Sequence, residues 1–328
     1  MKNRSNNCYG IAMPVKFVFC ILLGISSLMS CKKEATQTDA NTISTQSTEN
    51  AIISTPVYGA LISSGDMNEK MQVCTNLGVT YVRSSITLKD FTGKDGAVDA
   101  YIRNGYKLLL NINYDVVQTV NGKKQPVPFP TDMVQYKSLL QKVLDKYKPE
   151  IAVIENEQTT DQFHSGPIEN YITELKTAVS VCHQYGIKVA DGGLIAQVVN
   201  MVKSGFGSGD KYTETKKLIE AYKTIDLDYI NIHTTAPYSN GDPNVFPSSD
   251  VINSATYLKA TTGKDVICNE YNQDNQSASL MNGAVTAFKT GGYKYLIARS
   301  GQGGTKSEPL NTGTTLTTIG KAYRDAIK

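Results

Sequence analysis

The chain has 328 residues, with 33 Lys and Arg against 30 Asp and Glu, for a formal charge of +3. A hydrophobic share of 40% with 19% charged residues excludes bulk disorder and a collagen-like fibre. So small a charge gives no footing for a nucleic-acid partner, and three His with six scattered Cys leave little material for a metal cage.

The first thirty residues read as an address. Lys2, Arg4 and Lys16 precede any acid, and the apolar run Phe17–Ile25 is too short for a membrane span, which needs about 20 apolar residues. It fits the h-region of a secretory signal. The run ends in Leu28-Met29-Ser30-Cys31, which resembles the lipobox of bacterial lipoproteins. That resemblance implies lipidation of Cys31 and anchoring in the cell envelope. Lys32 in place of Asp after the Cys points to the outer membrane of a diderm bacterium. Residues 31–52 are polar and Thr/Ser-rich and read as a flexible tether. Lys2, Arg4 and Lys16 account for the whole basic excess, so removing them from 33 leaves 30 basic residues against 30 acidic ones.

From residue 53 onward, short β-branched runs alternate with amphipathic stretches. In chain order the predicted strands are Val57–Ile62, Thr80–Ser85, Lys107–Asn113, Ile151–Asn156, Lys188–Gly192, Tyr229–His233, Asp265–Asn269 and Tyr295–Arg299. They are apolar on both faces, as buried parallel strands should be. The predicted helices are Met67–Leu77, Ala97–Asn104, Thr131–Tyr147, Glu169–Tyr185, Tyr212–Tyr222, Ser249–Thr261, Ser279–Thr290 and Leu316–Ile327. Gly78, Gly105, Gly186, Gly263 and Gly292 stand where helices stop and strands begin, as left-handed caps would. Eight such units over residues 53–328 predict a single α/β domain, a (β/α)8 TIM barrel. A doubly wound sheet would want a Gly-rich phosphate turn after the first strand, and Gly59-Ala60-Leu61-Ile62-Ser63-Ser64-Gly65 lacks that pattern. Gly301-Gln302-Gly303-Gly304 reads as a plain loop, and Gly205-Phe206-Gly207-Ser208-Gly209 has its Ser in the wrong place for a nucleophile elbow. Cys74, Cys182 and Cys268 lie in apolar segments and read as buried thiols, with one disulfide among them left open.

In a barrel the chemistry sits where strands end. Those positions hold Arg83, Asn113-Tyr114, Glu155-Asn156-Glu157, Asp191, His233, Asn269-Glu270-Tyr271 and Arg299. Glu155 is expected to share the strand face of Glu157 as an interior carboxylate paired with Arg or Lys, with Arg83 as one candidate. His164 and His183 read as loop and helix residues.

Asn156-Glu157 after strand four and Glu270 after strand seven resemble the layout of the clan A glycoside hydrolases, with Arg83 and His233 adding to the likeness over about residues 56–328. The resemblance implies a retaining glycosidase acting on oligo- or polysaccharide without cofactor or metal. In it Glu157 is the general acid/base and Glu270 the nucleophile. Asn156 would bond the sugar 2-hydroxyl and Arg83 would keep Glu270 ionised. His233 or Tyr238 would bond a carboxylate or the sugar, and Tyr114 and Tyr271 would contact sugar. Arg299 stands near the position where such enzymes often carry Trp, of which this chain has none, and could face an acidic sugar. The expected partners are a carbohydrate and, through the lipid, a membrane, with the protein monomeric and no nucleic acid involved. A glycan-binding lipoprotein on a barrel that has lost catalysis is the alternative. A phosphosugar isomerase or lyase is disfavoured by the absence of a phosphate loop.

Overall fold

A computed structural model describes residues 55–236, 242, 245–302 and 307–328. Cys31, the tether and Tyr238 lie outside the described residues. Eight parallel strands close into a ring: β1 (Val57–Ile62), β2 (Tyr81–Thr87), β3 (Lys107–Asn113), β4 (Ile151–Ile154), β5 (Lys188–Asp191), β6 (Tyr229–Ala236), β7 (Asp265–Gln273) and β8 (Tyr295–Ser300). Each pairs with its neighbours in sequence order, β5 meets β6 at Ala190 and Tyr229, and β8 returns to β1 over its whole length. The predicted (β/α)8 barrel is therefore the fold.

The two faces of each strand explain the closure. Leu109, Ile151, Val153, Ala190, Tyr229, Ile267, Tyr295 and Ile297 fill the barrel interior, and Tyr81 packs against Tyr295 at its lower end. The alternate residues face outward under the helices α1 (Met67–Leu77), α2 (Gly96–Arg103), α3 (Met133–Lys146), α4 (Ile168–Gln184), α5 (Ala196–Ser204), α6 (Asp210–Tyr222), α7 (Ser248–Thr262), α8 (Ala278–Thr290) and α9 (Thr318–Ala326). On α3 one stripe buries Tyr136, Leu140, Val143 and Leu144 completely, each contributing about 1.5–3 kcal/mol. Asp66, Asp95, Asp132, Ser277 and Thr317 cap helix N-termini with their side chains. Gly78 and Gly263 end α1 and α7 at φ 76° and 71°, where a side chain would be strained.

Three local features differ from the predicted elements. The segment 193–210, where no element is predicted, carries a two-residue extension of β5, Leu194–Ile195, and then α5. The segment after β3 holds the two-stranded ladder of Gln118–Val120 with Lys123–Gln125. β4 stops at Ile154, two residues earlier than predicted, because Glu155 and Glu157 both take left-handed backbone conformations at φ 66° and 46°. Cys74, Cys182 and Cys268 are all buried and free, so no disulfide joins any two of them.

Candidate active site

The carboxyl ends of the strands open onto a cleft of about 800 Å³. Arg83, Asn156, Glu157, Glu270, Asn272 and Arg299 are among its lining residues. Three strands and one strained loop bring them together.

Glu270 reaches the cleft through an irregularity in β7. On one side Asn231 and His233 pair with Ile267 and Glu270, two steps against three. On the other side Cys268 and Tyr271 pair with Leu296 and Ala298, three steps against two. β7 thus carries one extra residue between 268 and 270, a β-bulge. Strict alternation would turn Glu270 out beneath the helices; the bulge lets Asn269 and Glu270 both face inward. Glu270 is 7% exposed. Burial alone would raise its pKa, but Arg83, His233 and Arg299 with the Asn272 amide outweigh it and hold the carboxyl well below the usual range. Arg83 Nη1 bonds Oε2; Arg299 Nη1 bonds Oε1 at 3.0 Å, and Asn272 Nδ2 donates to Oε1 at 3.1 Å. Arg299 therefore faces a carboxylate of the chain itself.

Arg83 has a side-chain partner at each of its three nitrogens. Its Nε donates to Asn111 Oδ1 at 2.9 Å and its Nη2 to Asn156 Oδ1 at 2.6 Å, while Nη1 serves Glu270. One guanidinium, with donors in a rigid fork, thereby ties β2, β3, the β4 loop and β7 together.

Glu157 hangs from the loop after β4. Its N–H donates to the Gly192 carbonyl at 3.0 Å. Its Oε1 lies 3.1 Å from His233 Nδ1. His233, 2% exposed, neighbours Glu270 across the β6–β7 register and so stands beside both acidic residues. Gly193 makes room for the ring: at φ 109° it takes a conformation side chains avoid, and a Cβ there would sit 2.5 Å from His233 Nε2. The residue after Glu157, Gln158, donates to Asp191 Oδ2 at 3.0 Å and to the Tyr222 hydroxyl at 3.1 Å, locking the loop to β5. Asp191 is buried under that loop, accepts from the Asn231 N–H at 2.6 Å, and is pushed up by burial to about 6.

Glu155 departs from expectation. Its left-handed backbone turns the side chain away from the barrel axis, so it does not share a face with Glu157 and its carboxylate is not the partner of Arg83. It accepts from the Tyr114 N–H at 2.7 Å, with His164 Nε2 3.7 Å away. Glu174 of α4 and Tyr136 of α3 surround it from the helix layer, all fully buried. Burial pushes Glu155 up to about 7 and Glu174 well up, and the negative charge of either one disfavours ionisation of the other. His164 is buried too, is lowered by burial to about 4, and donates from Nε2 to the Asn156 carbonyl at 2.9 Å. It is a support of the loop, not a bystander.

Two predicted sugar contacts sit elsewhere. Tyr271, next to the bulge, faces outward, packs against Phe246 and Phe288, and donates to Gln273. The Tyr114 ring lies against Lys89 and Tyr136 with its hydroxyl donating to Gln135. Asn111, Asn231, Asn269 and Asn272 form a polar layer to which the sequence reading gave no role. Asn–x–His in β6 and Asn-Glu in β7 were its visible signals, since buried Asn at inward strand positions must find partners.

No family model matches the chain, and no curated protein matches it. Solved structures do. The chain is similar to a GH128 (subgroup I) endo-β-1,3-glucanase from Amycolatopsis mediterranei in complex with laminaritriose, at TM-score 0.53 and 11% identity over 83% of this chain and 100% of that one. It is similar to a GH128 (subgroup II) endo-β-1,3-glucanase from Sorangium cellulosum, at TM-score 0.55 and 13% identity over 82% and 98%. It is also similar to an endo-β-1,4-glucanase from Xanthomonas axonopodis pv. citri, at TM-score 0.55 and 9% identity over 83% and 100%. At these identities the likeness is one of fold: the chain is a TIM barrel of the shape that these glycoside hydrolases share.

Proposed function

We propose that this protein is a retaining glycoside hydrolase of oligo- or polysaccharide, with Glu270 as nucleophile and Glu157 as general acid/base. The observation that carries the reading is the unequal treatment of two carboxyl groups lining one cleft. Glu270 is clamped by two guanidiniums and an amide, which hold it ionised. Among the described residues the Glu157 carboxyl meets the His233 imidazole, a partner that can share a proton. Separating two acids by environment is how one site runs acid and nucleophile chemistry together.

In the first step Glu270 attacks the anomeric carbon, the bond to the leaving oxygen breaks, and Glu157 gives that oxygen its proton. In the second, Glu157 takes a proton from water, water oxygen bonds the anomeric carbon, and the Glu270 ester breaks. Asn156, its Oδ1 held by Arg83, is placed for the sugar hydroxyl beside the reacting carbon. The fold neighbours include enzymes named for β-1,3- and β-1,4-glucan cleavage, and a β-linked glucan is the first substrate class to assay. Anchoring through lipidated Cys31 in the cell envelope is part of the same proposal and rests on the N-terminal sequence.

The test uses aryl β-glycosides and soluble β-glucans with wild type, Glu157→Gln and Glu270→Gln. Turnover lost in both variants, with the first-formed product retaining the β configuration by NMR, supports the reading. Inverted product, or glycan binding without turnover on any substrate, overturns it, the latter in favour of a binding protein.

A further inference from the structure

The hydrogen-bond chain beneath the two glutamates determines where a proton can sit. Its amide orientations are pinned at both ends by groups with one possible role. The Asn269 backbone N–H can only donate, and it meets Asn231 Oδ1 at 3.0 Å. Asn231 Nδ2 is then the donor to Asn269 Oδ1, at 2.8 Å. At the other end the Arg83 guanidinium can only donate, to Asn111 Oδ1, and the Glu155 carbonyl can only accept, from Asn111 Nδ2 at 3.1 Å. Asn111 Oδ1 therefore also accepts from Asn269 Nδ2 at 2.9 Å, which again leaves Asn269 Oδ1 as an acceptor.

His233 Nε2 lies 2.7 Å from that same oxygen. Two acceptors do not meet at this distance, so Nε2 carries a hydrogen. Asn231 Nδ2, 3.2 Å from Nε2, points its own hydrogen at the shared oxygen. In a neutral ring the opposite nitrogen, Nδ1, is then bare, and it is Nδ1 that meets Glu157 Oε1 at 3.1 Å. A bare nitrogen and a carboxylate oxygen repel, so a proton must lie between them.

We propose that Asn269, oriented by Asn111 and Asn231, holds His233 in its Nε2–H form, so that Nδ1 and Glu157 together store one proton in the resting site, and that this is the proton given to the leaving group. The inference rests on the glycosidase reading for the fate of the proton, but not for its position. When the proton moves to the leaving oxygen, Nδ1 and Oε1 are left as two facing acceptors. That arrangement favours taking a proton back, which is what activation of water in the second step requires. The charged and titratable groups around His233 are Glu157 on the β4 loop, Glu270 beside it on β7, Arg83 from β2 behind Asn269, and Asp191 of β5 beneath Asn231. Asn269 touches neither sugar nor reacting atoms in this scheme and is a positioning residue.

The chain has three His, so ¹⁵N-histidine labelling of the whole protein with a His233→Gln spectrum for assignment resolves the ring. The expected result across the pH range of activity is a protonated Nε2, with Nδ1 either a hydrogen-bonded acceptor or protonated as well. A neutral ring carrying its proton on Nδ1 overturns the proposal, and this arm needs no folded variant. In a second arm, Asn269→Leu is compared on substrates with poor and with activated leaving groups. The expected outcome is a kcat lower by about 10–100-fold for the poor leaving group, within the range general acid catalysis supplies, with KM and the activated substrate little changed. Equal loss on both substrates with an unmoved pH profile overturns the role given to Asn269. Protein without glycosidase activity but with Nε2–H would sink the functional reading and leave the tautomer standing.

Discussion

Replacing Glu155 with Gln tests the buried carboxyl pair in isolation from catalysis. In the folded chain burial pushes this carboxyl up to about 7 from its ordinary 4.5. Between those values the unfolded chain releases a proton that the folded chain keeps, so stability is full below pH 4.5 and drains as pH rises towards 7. A difference of about 2.5 units at 1.36 kcal/mol each is about 3 kcal/mol. Glutamine cannot ionise, and its oxygen can still accept the Tyr114 N–H that Glu155 Oε1 accepts. Urea unfolding of wild type and Glu155→Gln at pH 4.5 and pH 8 gives the comparison: Asp191 contributes to both proteins and cancels, while Glu174, relieved of the Glu155 charge, shifts the difference further in the same direction. The fall in stability from pH 4.5 to pH 8 is expected to be at least about 3 kcal/mol smaller in the variant. Parallel curves would refute the argument and mean that Glu155 ionises in the folded protein without cost.

Four further outcomes follow from the site. Arg83→Lys loses the fork that reaches Asn111, Asn156 and Glu270 at once, and kcat/KM is expected to fall about 100-fold in steady-state assays, as when an aligned electrostatic contact is lost. Arg299→Leu removes one cation from Glu270, which raises that carboxyl, so the acid limb of the kcat/KM profile moves to higher pH and activity is lost near pH 4 before it is lost at pH 7. Gly193→Ala forces a methyl against His233 at φ 109° and is expected to cost about 1–3 kcal/mol in urea unfolding, with a fall in kcat. Tyr271→Phe loses only the hydroxyl that donates to Gln273; stability drops about 1 kcal/mol while kcat and KM hold within twofold.

Much of the barrel was legible because its strands are sealed on both faces and its helices end on glycine. Val57–Ile62 and Lys107–Asn113 match the predicted strands residue for residue, and Met67–Leu77 matches its helix. α5 escaped because Ala196–Ser204 is short and begins without a side-chain cap. At the site, strand ends drew attention to Glu157, Glu270, Arg83 and Arg299, and all four line one cleft. What stayed hidden depends on departures from period two. The left-handed turn at Glu155 sends its side chain to the helix layer, and the bulge in β7 makes Glu270, in place of Tyr271, the inward side chain. Glu174 carried a signal that went unread: it lies three residues after Tyr171 and four before Ala178, on the buried stripe of α4. A carboxyl on such a stripe needs a partner from elsewhere in the fold.

The bulge makes Glu270's place in the cleft a matter of counting. Regular alternation has room for one inward side chain between Cys268 and Tyr271, and the bulge seats two: deleting Asn269 would leave Glu270 in its place, whereas deleting Glu270 would leave Asn269 alone there while every other strand kept its pairing. A scan of single substitutions would never visit that change, since no side chain specifies it alone. For a lineage of such barrels it marks a short path between catalysis and mere recognition of sugar: one codon lost, the scaffold intact, the attacking group gone from the cleft.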